Sequence, residues 1–397
     1  MKLPIYLDNN ATTPLDPRVL EAMMPFFKEH FGNASSRSHE YGWMAETAVD
    51  VARGQVAHLI GASPEELVFT SGATESINLA LKGLVEGMRR RTGRQAMHII
   101  TAFTEHHAVL DTCNELELRG GGWTALPVDR NGRVDVAAVD RTITRDTVLV
   151  SIMWANNEIG TIAPMAEIAE VCRARGVLLH TDATQAIGKV AVNVREVPVD
   201  LLSFSAHKMY GPKGIGALYV RGGMPRITLS PQIVGGGQEH RLRSGTLNVP
   251  AIAGFGKAAR IVETEWLEES KRIAQLRDQL EDEIRAVLPN IQINGHPTER
   301  LANTSSITFP GCRADAMIMA MKDVAVSTGS ACSSAVPEPS HVLRAIGRSV
   351  SDAKATLRFG LGRFTTREEI LYAARRVIDV AENTGSRIDK IHSPEYQ

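Results

Sequence analysis

Short runs of consecutive hydrophobic residues alternate with helical patterns through the first two thirds of the chain. Six runs predict β-strands, at residues 66–70, 97–101, 147–153, 177–181, 201–205 and 216–220. Most are hydrophobic throughout rather than at every second position, which is typical of strands covered on both faces. Helical patterns such as 74–86 and 165–175 lie between them. This alternation predicts an α/β fold with a mostly parallel sheet and helices on both of its faces.

The pattern changes after Pro250. Residues 251–288 are charged and amphipathic, and hydrophobic residues such as Ile273, Leu276 and Leu280 recur near helical spacing. This segment predicts a long connecting helix that leads to a second, smaller α+β domain. The length of 397 residues agrees with about two domains, because one hydrophobic core rarely grows that large.

Charge and composition exclude several classes of protein. The formal net charge is −1, which gives no general attraction to nucleic acids or anionic membranes. The arginines at 89–91 and 94 are a local exception, and we interpret them as a solvated helix end. Residues 1–10 lack the hydrophobic stretch of a secretory signal, and no segment has the length of a membrane span. We therefore expect a cytoplasmic protein with no membrane or direct nucleic-acid partner.

The cysteines predict neither disulfides nor a metal site. The four cysteines form no C-x-x-C pair and have no histidine-rich ligand spacing beside them. Cys113 and Cys172 lie in helical patterns and are interpreted as buried. Cys332 lies among small residues at 326–334, where an exposed thiol can act as a nucleophile. Cys312 follows Pro310 and Gly311 and is the weaker alternative nucleophile.

Polar residues follow several of the predicted strands. Lys208 comes just after the strand at 201–205, where a lysine that binds a cofactor covalently must be held. Asp182 follows the strand at 177–181, and such a carboxylate can keep a pyridine nitrogen protonated. His106 and Asn157 also follow strands. Because strand ends converge on one crevice in an open α/β sheet, we expect these side chains to lie together.

Each of these residues also has a simpler interpretation. On local chemistry alone, a surface lysine is the favoured interpretation of Lys208. Lys213 competes for its role, but it lies inside the adjacent Gly/Pro-rich turn and is expected to be solvated. Asp182 has the character of a helix N-cap. The Ser-Gly-Ala-Thr sequence at 71–74 is either a capped helix start or a phosphate site built from backbone N–H groups. Arg358 is either a carboxylate-binding fork or a charge at a sheet edge.

Taken in order, the motifs resemble the cysteine desulfurases of the nitrogen-fixation and iron–sulfur-cluster type. These are fold type I pyridoxal-phosphate (PLP) enzymes, similar to class V aminotransferases. The motifs are FGNASSRSH, FTSGATES, TEHHAVL, MWANNEIG, HTDATQAIGK, SFSAHKMYGPKGIGALY, RSGTLNVP, STGSACSS and EPSHVLRAIG. The resemblance extends from residues 6–17 to 361–366.

The resemblance implies a mostly parallel, seven-stranded-type sheet and a chain in three parts. These are a segment at 1–14 that packs with the small domain, a large PLP-binding domain at 15–260, and a small domain at 261–397 that carries the catalytic cysteine.

The resemblance also implies a role for each site residue. Three residues are assigned to catalysis. Lys208 is expected to hold the cofactor, His106 to assist proton transfer, and Cys332 to accept the sulfur. Cofactor binding is assigned to Lys208, Asp182 (pyridine nitrogen), Gln185 (phenolate oxygen), His106 (ring stacking), Asn157, and the phosphate-binding set Ala73, Thr74, Ser205 and His207. Thr246 is expected to reach the phosphate of the neighbouring subunit in a homodimer. Substrate binding is assigned to Asn33, Asn157 and Arg358, although Ala34 replaces the proline that usually follows the asparagine in this family.

The implied reaction converts L-cysteine to L-alanine and leaves the sulfur on Cys332 as a persulfide. A sulfur-acceptor protein would then supply iron–sulfur clusters, tRNA thiolation or DNA phosphorothioation. Three alternatives stay open at this point: a selenocysteine lyase, another aminotransferase-like PLP enzyme, and a non-catalytic sulfur-relay or scaffold protein.

Overall fold

The computed structural model of the chain describes residues 2–222, 227–328 and 338–391, with side chains through residue 383. Its strands, in chain order, are β1 (Ile5–Tyr6), β2 (Leu67–Thr70), β3 (His98–Ala102), β4 (Gly122–Leu126), β5 (Thr147–Ser151), β6 (Leu178–Asp182), β7 (Leu201–Ser205), β8 (Gly216–Val220), β9 (Gln292–Asn294), β10 (Thr304–Thr308), β11 (Val324–Ala325) and β12 (Thr356–Gly360).

The helices are α1 (Pro17–Met23), α2 (Pro25–Lys28), α3 (Glu40–Leu59), α4 (Ala73–Thr92), α5 (His107–Leu118), α6 (Val136–Thr142), α7 (Met165–Arg175), α8 (Val249–Val287), α9 (Ala314–Ala320), α10 (His341–Ala345), α11 (Val350–Lys354) and α12 (Arg367–Ile391). Short 3₁₀ turns occur at Pro64–Glu66, Ala206–Lys208 and Glu239–Arg241. No helix within the described ranges has the length and hydrophobicity needed to cross a membrane.

Seven of the described strands form the large central sheet, in the order β2-β8-β7-β6-β5-β3-β4. Strand β8 is antiparallel to both neighbours, and the other pairs are parallel. Helices α3, α7 and α8 cover one face and helices α4 and α5 cover the other, each with its own hydrophobic core. The predicted α/β fold with a mostly parallel, doubly covered sheet is confirmed.

Hydrophobic pattern and position in the sheet explain which strands the sequence predicts well. Strands β7 and β8 are buried at all five positions, and their bounds agree with the predicted 201–205 and 216–220. Strand β4 lies at the sheet edge and four of its five residues are only partly buried, so its sequence GWTAL lacks a continuous hydrophobic run. The sequence pattern did not predict it for that reason.

A smaller antiparallel sheet, in the order β12-β10-β9, lies in the C-terminal part. Helices α8 and α12 pack against it through a separate hydrophobic core that includes Ile273, Leu280 and Val377. The N-terminal half of α8 packs instead on the large sheet, through residues such as Ile252 and Phe255. One helix of 39 residues therefore contributes to both cores. The division of the chain at 1–14, 15–260 and 261–397 stays a prediction.

The N-terminal segment connects these two parts. Strand β1 pairs in parallel with β11, which follows it by more than 300 residues. The buried side chain of Asn10 then donates to Thr304 Oγ1 at 2.8 Å and to the Asn157 carbonyl at 3.1 Å, and it accepts from Asn303 Nδ2 at 2.9 Å. A Cβ atom at position 360 would lie 2.7 Å from Asn10 Oδ1, so glycine permits this close approach.

Strands β5, β6 and β7 are also joined by side chains. His180 on β6 lies between Ser151 Oγ of β5, at 2.8 Å from Nδ1, and Ser203 Oγ of β7, at 2.9 Å from Nε2. Burial lowers the pKa of His180 to about 3. The imidazole is therefore neutral in the folded protein, whereas in an unfolded chain its pKa is about 6.5.

We predict that Asn10→Ala lowers the free energy of unfolding by about 2–3 kcal/mol, because two buried hydrogen bonds and one partly buried hydrogen bond are lost at about 1 kcal/mol each. Urea unfolding measures this loss. Asn290→Ala, at an exposed position, is the matched control and should change stability by less than about 0.5 kcal/mol. Equal unfolding midpoints for the two variants would contradict the connecting role of Asn10.

A second prediction concerns the pH dependence of stability. Below pH 6.5 the unfolded chain takes up a proton at His180 that the folded protein does not, so stability falls as the pH drops toward 3. Between pH 7 and pH 5, His180→Gln should therefore lose about 2 kcal/mol less stability than the wild type. Urea titrations at both pH values test this. A slope in His180→Gln equal to that of the wild type would refute the assignment.

Candidate active site

A cavity of about 630 Å³ lies at the carboxyl ends of the parallel strands of the large sheet. The turns that follow β2, β5, β6 and β7 contribute to its wall, as expected for an open α/β sheet. Most of the predicted site residues line this cavity, namely Ala73, Thr74, His106, Asn157, Asp182, Gln185, Ser205, His207, Lys208 and Arg358.

Lys208 lies in the 3₁₀ turn that directly follows β7. Its ammonium group donates to the carbonyls of Asn10 at 2.5 Å and Ala11 at 2.6 Å. The turn is fixed from the other side by Thr13, whose amide and hydroxyl both donate to the His207 carbonyl at 3.0 Å. Lys213 also lines the cavity but its side chain is exposed, so Lys208 is the lysine that the fold holds in place.

Asp182 is the last residue of β6, and Gln185 lies in the turn that follows. One carboxylate oxygen of Asp182 accepts from the Thr184 amide at 2.9 Å, which fixes the side chain beside the cavity. Gln185 donates through Nε2 to the Asn10 carbonyl at 2.8 Å and accepts through Oε1 from Lys189 Nζ at 2.5 Å. Asn10 therefore links Gln185 to Lys208 through a single carbonyl oxygen.

The start of α4 lies in the wall of the cavity. Its first N–H groups have no acceptors within the helix, and the positive end of the helix dipole lies there. Strand β8 begins with Gly216 against this turn, and a Cβ atom there would lie 2.7 Å from the Gly72 Cα and 2.6 Å from the Phe204 carbonyl oxygen. A glycine at 216 thus permits β8 to lie against the turn that precedes α4.

This arrangement fits PLP by the chemistry of its groups. A lysine, a carboxylate and an amide surround one cavity, and a helix start lies in its wall to receive a phosphate. In addition, the buried hydroxyl oxygen of Thr184 has no hydrogen-bond partner among the residues that the structure describes. A polar ligand in this cavity would satisfy it.

His106 is the N-cap of α5. Its Nδ1 accepts a hydrogen bond from the Ala108 amide at 3.0 Å, so the neutral ring carries its proton on Nε2. Burial lowers the pKa of His106; the charge of Asp182 opposes this shift and that of Lys208 adds to it. Burial, together with Lys208 and Lys213, lowers the pKa of His207 to about 4. Both imidazoles are therefore expected to be neutral near pH 7.

Arg358 approaches the cavity from β12. Its Nη2 donates to Asp8 Oδ1 at 2.9 Å and its Nη1 donates to the Asn157 carbonyl at 3.0 Å. The buried Nε has no partner within the described ranges. Two polar groups thus hold the guanidinium in the cavity wall, on an edge strand of the small sheet. Its expected role as a carboxylate-binding fork stays a prediction.

Three predicted residues are not brought to the cavity by the described part of the chain. Asn33 is exposed and its Oδ1 accepts from the Ser35 amide at 2.9 Å. Thr246 is also exposed, and its expected role concerns a neighbouring subunit. Cys332 lies outside the described residues. The roles of these residues, like those of the cavity residues, stay predictions.

The other cysteines differ in burial. Cys113 and Cys172 are buried in helices, as expected, and burial raises the pKa of each thiol to about 12. Neither can supply a thiolate near neutral pH. Cys312 is partly buried, with its Sγ 3.7 Å from the Ala381 carbonyl oxygen.

Several cavity residues were missed by sequence reasoning. Asn10, Ala11 and Thr12 come from the N-terminal segment, and the residues at 338–341 come from the C-terminal part. Both groups lie within segments that carry the resemblance, YLDNNATTPLDP and EPSHVLRAIG. Their position in these motifs could have indicated that they belong to the site. Thr184 had a similar signal inside HTDATQAIGK.

Comparisons with known proteins identify the family. The class-V aminotransferase model matches residues 5–372. A cysteine desulfurase IscS of Anaeromyxobacter sp. (strain Fw109-5) is 51% identical over 379 residues, which cover 96% of this chain and 93% of that protein. A cysteine desulfurase IscS of Dechloromonas aromatica (strain RCB) is 52% identical over 375 residues, covering 94% and 91%.

A solved structure of a NifS-like protein has a TM-score of 0.88 at 37% identity, and the match covers 96% of this chain and all of that one. These similarities confirm the family predicted from the motifs and the PLP fold type I that it implies. The chain belongs to the class-V aminotransferase family and, within it, to the cysteine desulfurases.

Proposed function

We propose that this chain uses PLP to convert L-cysteine to L-alanine and transfers the sulfur to its own Cys332. The observation that carries the proposal is the joint position of Lys208, Asp182 and the α4 helix start around one cavity. The cysteine desulfurase relatives, 51% and 52% identical over nearly the whole chain, support the same reaction. They disfavour a selenocysteine lyase or another aminotransferase-like enzyme. Bound in this cavity, PLP would serve as the electron sink for breaking bonds at the substrate Cα and Cβ.

Cofactor binding is assigned to residues from several elements. The amides at the start of α4, with Thr74, Ser205 and His207, would bind the phosphate. Asp182 would accept a hydrogen bond from the protonated pyridine nitrogen, and Gln185 would donate to the phenolate oxygen. His106 would stack on the ring. Thr246 of a second subunit would complete the phosphate site in the proposed homodimer.

The proposed reaction then involves binding of the substrate, proton transfer by Lys208 and sulfur transfer to Cys332. Arg358 would bind the substrate carboxylate with its fork of N–H groups, assisted by Asn33 and Asn157. Lys208 would take the Cα proton and return protons as alanine forms. The thiolate of Cys332 would attack the substrate sulfur, so that an S–S bond forms as the C–S bond breaks and its electron pair stays with carbon.

The sulfur is proposed to pass next to an acceptor protein in the cytoplasm. We favour iron–sulfur cluster supply, because the relatives reported above are named IscS. Thiolation of tRNA and phosphorothioation of DNA are the other outcomes of an acceptor test. Incubation of the persulfide form with candidate acceptors, followed by mass spectrometry of each, would distinguish them.

The reaction itself is tested with the purified holoenzyme and L-cysteine, by measuring alanine and sulfide. Lys208→Ala should lower alanine formation by at least about 100-fold, because proton transfer is lost. Cys332→Ser should abolish persulfide on the protein, whereas Cys312→Ser should leave both products at the wild-type level. Persulfide mapped to Cys312, or undiminished sulfide release by Cys332→Ser, would overturn the assignment.

A further inference from the structure

A second lysine lies behind the cofactor-binding turn. Lys189 follows β6 by seven residues, and its Nζ lies 2.5 Å from Gln185 Oε1. Lys189 does not line the main cavity; together with Lys208 and Glu269 it lines a separate cavity of about 20 Å³. Lys189 can therefore act on a bound ligand only through another residue, and Gln185 is the residue it contacts.

The contact determines which way the Gln185 amide points. An amide has one carbonyl oxygen and two N–H donors. The oxygen accepts from Lys189, and one N–H donates to the Asn10 carbonyl at 2.8 Å. The remaining N–H is left for the cavity, where Gln185 contributes to the wall. A flipped amide would place its oxygen against the Asn10 carbonyl and its N–H groups against a cationic donor.

The amine at position 189 is costly to hold there. Burial, together with the charges of Lys208 and Arg358, lowers the pKa of Lys189 to about 7, and Glu269 opposes this shift. A hydrophobic side chain of similar length would fill the same space without that cost. The presence of an amine at this position therefore requires a reason, and its hydrogen bond to Gln185 Oε1 provides one.

We propose that Lys189 is a positioning residue that holds the Gln185 amide with an N–H toward the cavity. It would thereby strengthen the hydrogen bond from Gln185 to the phenolate oxygen of the cofactor. The proposal rests on the proposed function, because it assumes that PLP binds beside Gln185. An amide that accepts from Lys189 and donates to the Asn10 carbonyl is polarised by this chain of hydrogen bonds, which strengthens the donation by its remaining N–H.

The test compares holoenzyme variants by the visible absorption band of the lysine-bound cofactor and by the rate at which PLP passes to a scavenging apoenzyme. Lys189→Met should release PLP about tenfold faster than the wild type, the effect of losing one hydrogen bond, and should shift the band. Lys189→Arg keeps a donor and should restore most of the retention. Lys271→Met makes the same change at an exposed position and should behave as the wild type.

A double-mutant cycle with Gln185→Ala separates positioning from general stability. In the Gln185→Ala background, Lys189→Met should cause no further increase in PLP release, because the contact is already lost. An equal increase in both backgrounds would overturn the proposal, as would wild-type release by Lys189→Met. Lys189→Leu, which also lacks a donor, supplies the same comparison if Lys189→Met does not fold.

The two proposals fail in distinguishable ways. If the wild-type protein neither binds PLP nor forms alanine from cysteine, the proposed function is wrong and the role of Lys189 falls with it. If the wild type does both while Lys189→Met retains PLP as the Lys271→Met control does, only the role of Lys189 is wrong.

Discussion

Lys208 and Gln185 both donate hydrogen bonds to the carbonyl oxygen of Asn10, and the cavity is organised around this shared acceptor. The carbonyl belongs to the N-terminal segment and not to the sheet that carries the two side chains. Its position is set by the Asn10 side chain, which is held by Asn303 and Thr304 of the C-terminal part. The geometry of the lysine therefore depends on contacts among three distant stretches of sequence.

Charges of both signs line the cavity. Lys208 and Arg358 are cationic, Asp182 and Glu158 are acidic, and the start of α4 adds the positive end of a helix dipole. Burial and the neighbouring cations lower the pKa values of His106 and His207, so these rings add hydrogen-bonding atoms and aromatic surface but not further charge. Fixed charge in the cavity therefore comes from its lysines, its arginine and its carboxylates and not from these two imidazoles.

Sequence reasoning succeeded where a local pattern was sufficient. Buried strands such as β7 and β8 have continuous hydrophobic runs, and the polar residues that follow a parallel strand necessarily lie at one edge of the sheet. It failed for β4, whose edge position leaves a mixed pattern. It also gave no role to Asn10, because the partner of that side chain, Asn303, lies 293 residues away. Contacts at such separations leave no periodic signal in either segment.

The pairing of β1 with β11 has a consequence for how the protein is made. Residues 5 and 6 leave the ribosome more than 300 residues before their partners at 324 and 325. The central sheet, whose last strand ends at residue 220, can assemble earlier, as domains generally fold during translation. Strand β1 must wait, so the nascent enzyme stays without its finished catalytic pocket until residues 324 and 325 have been synthesised as well.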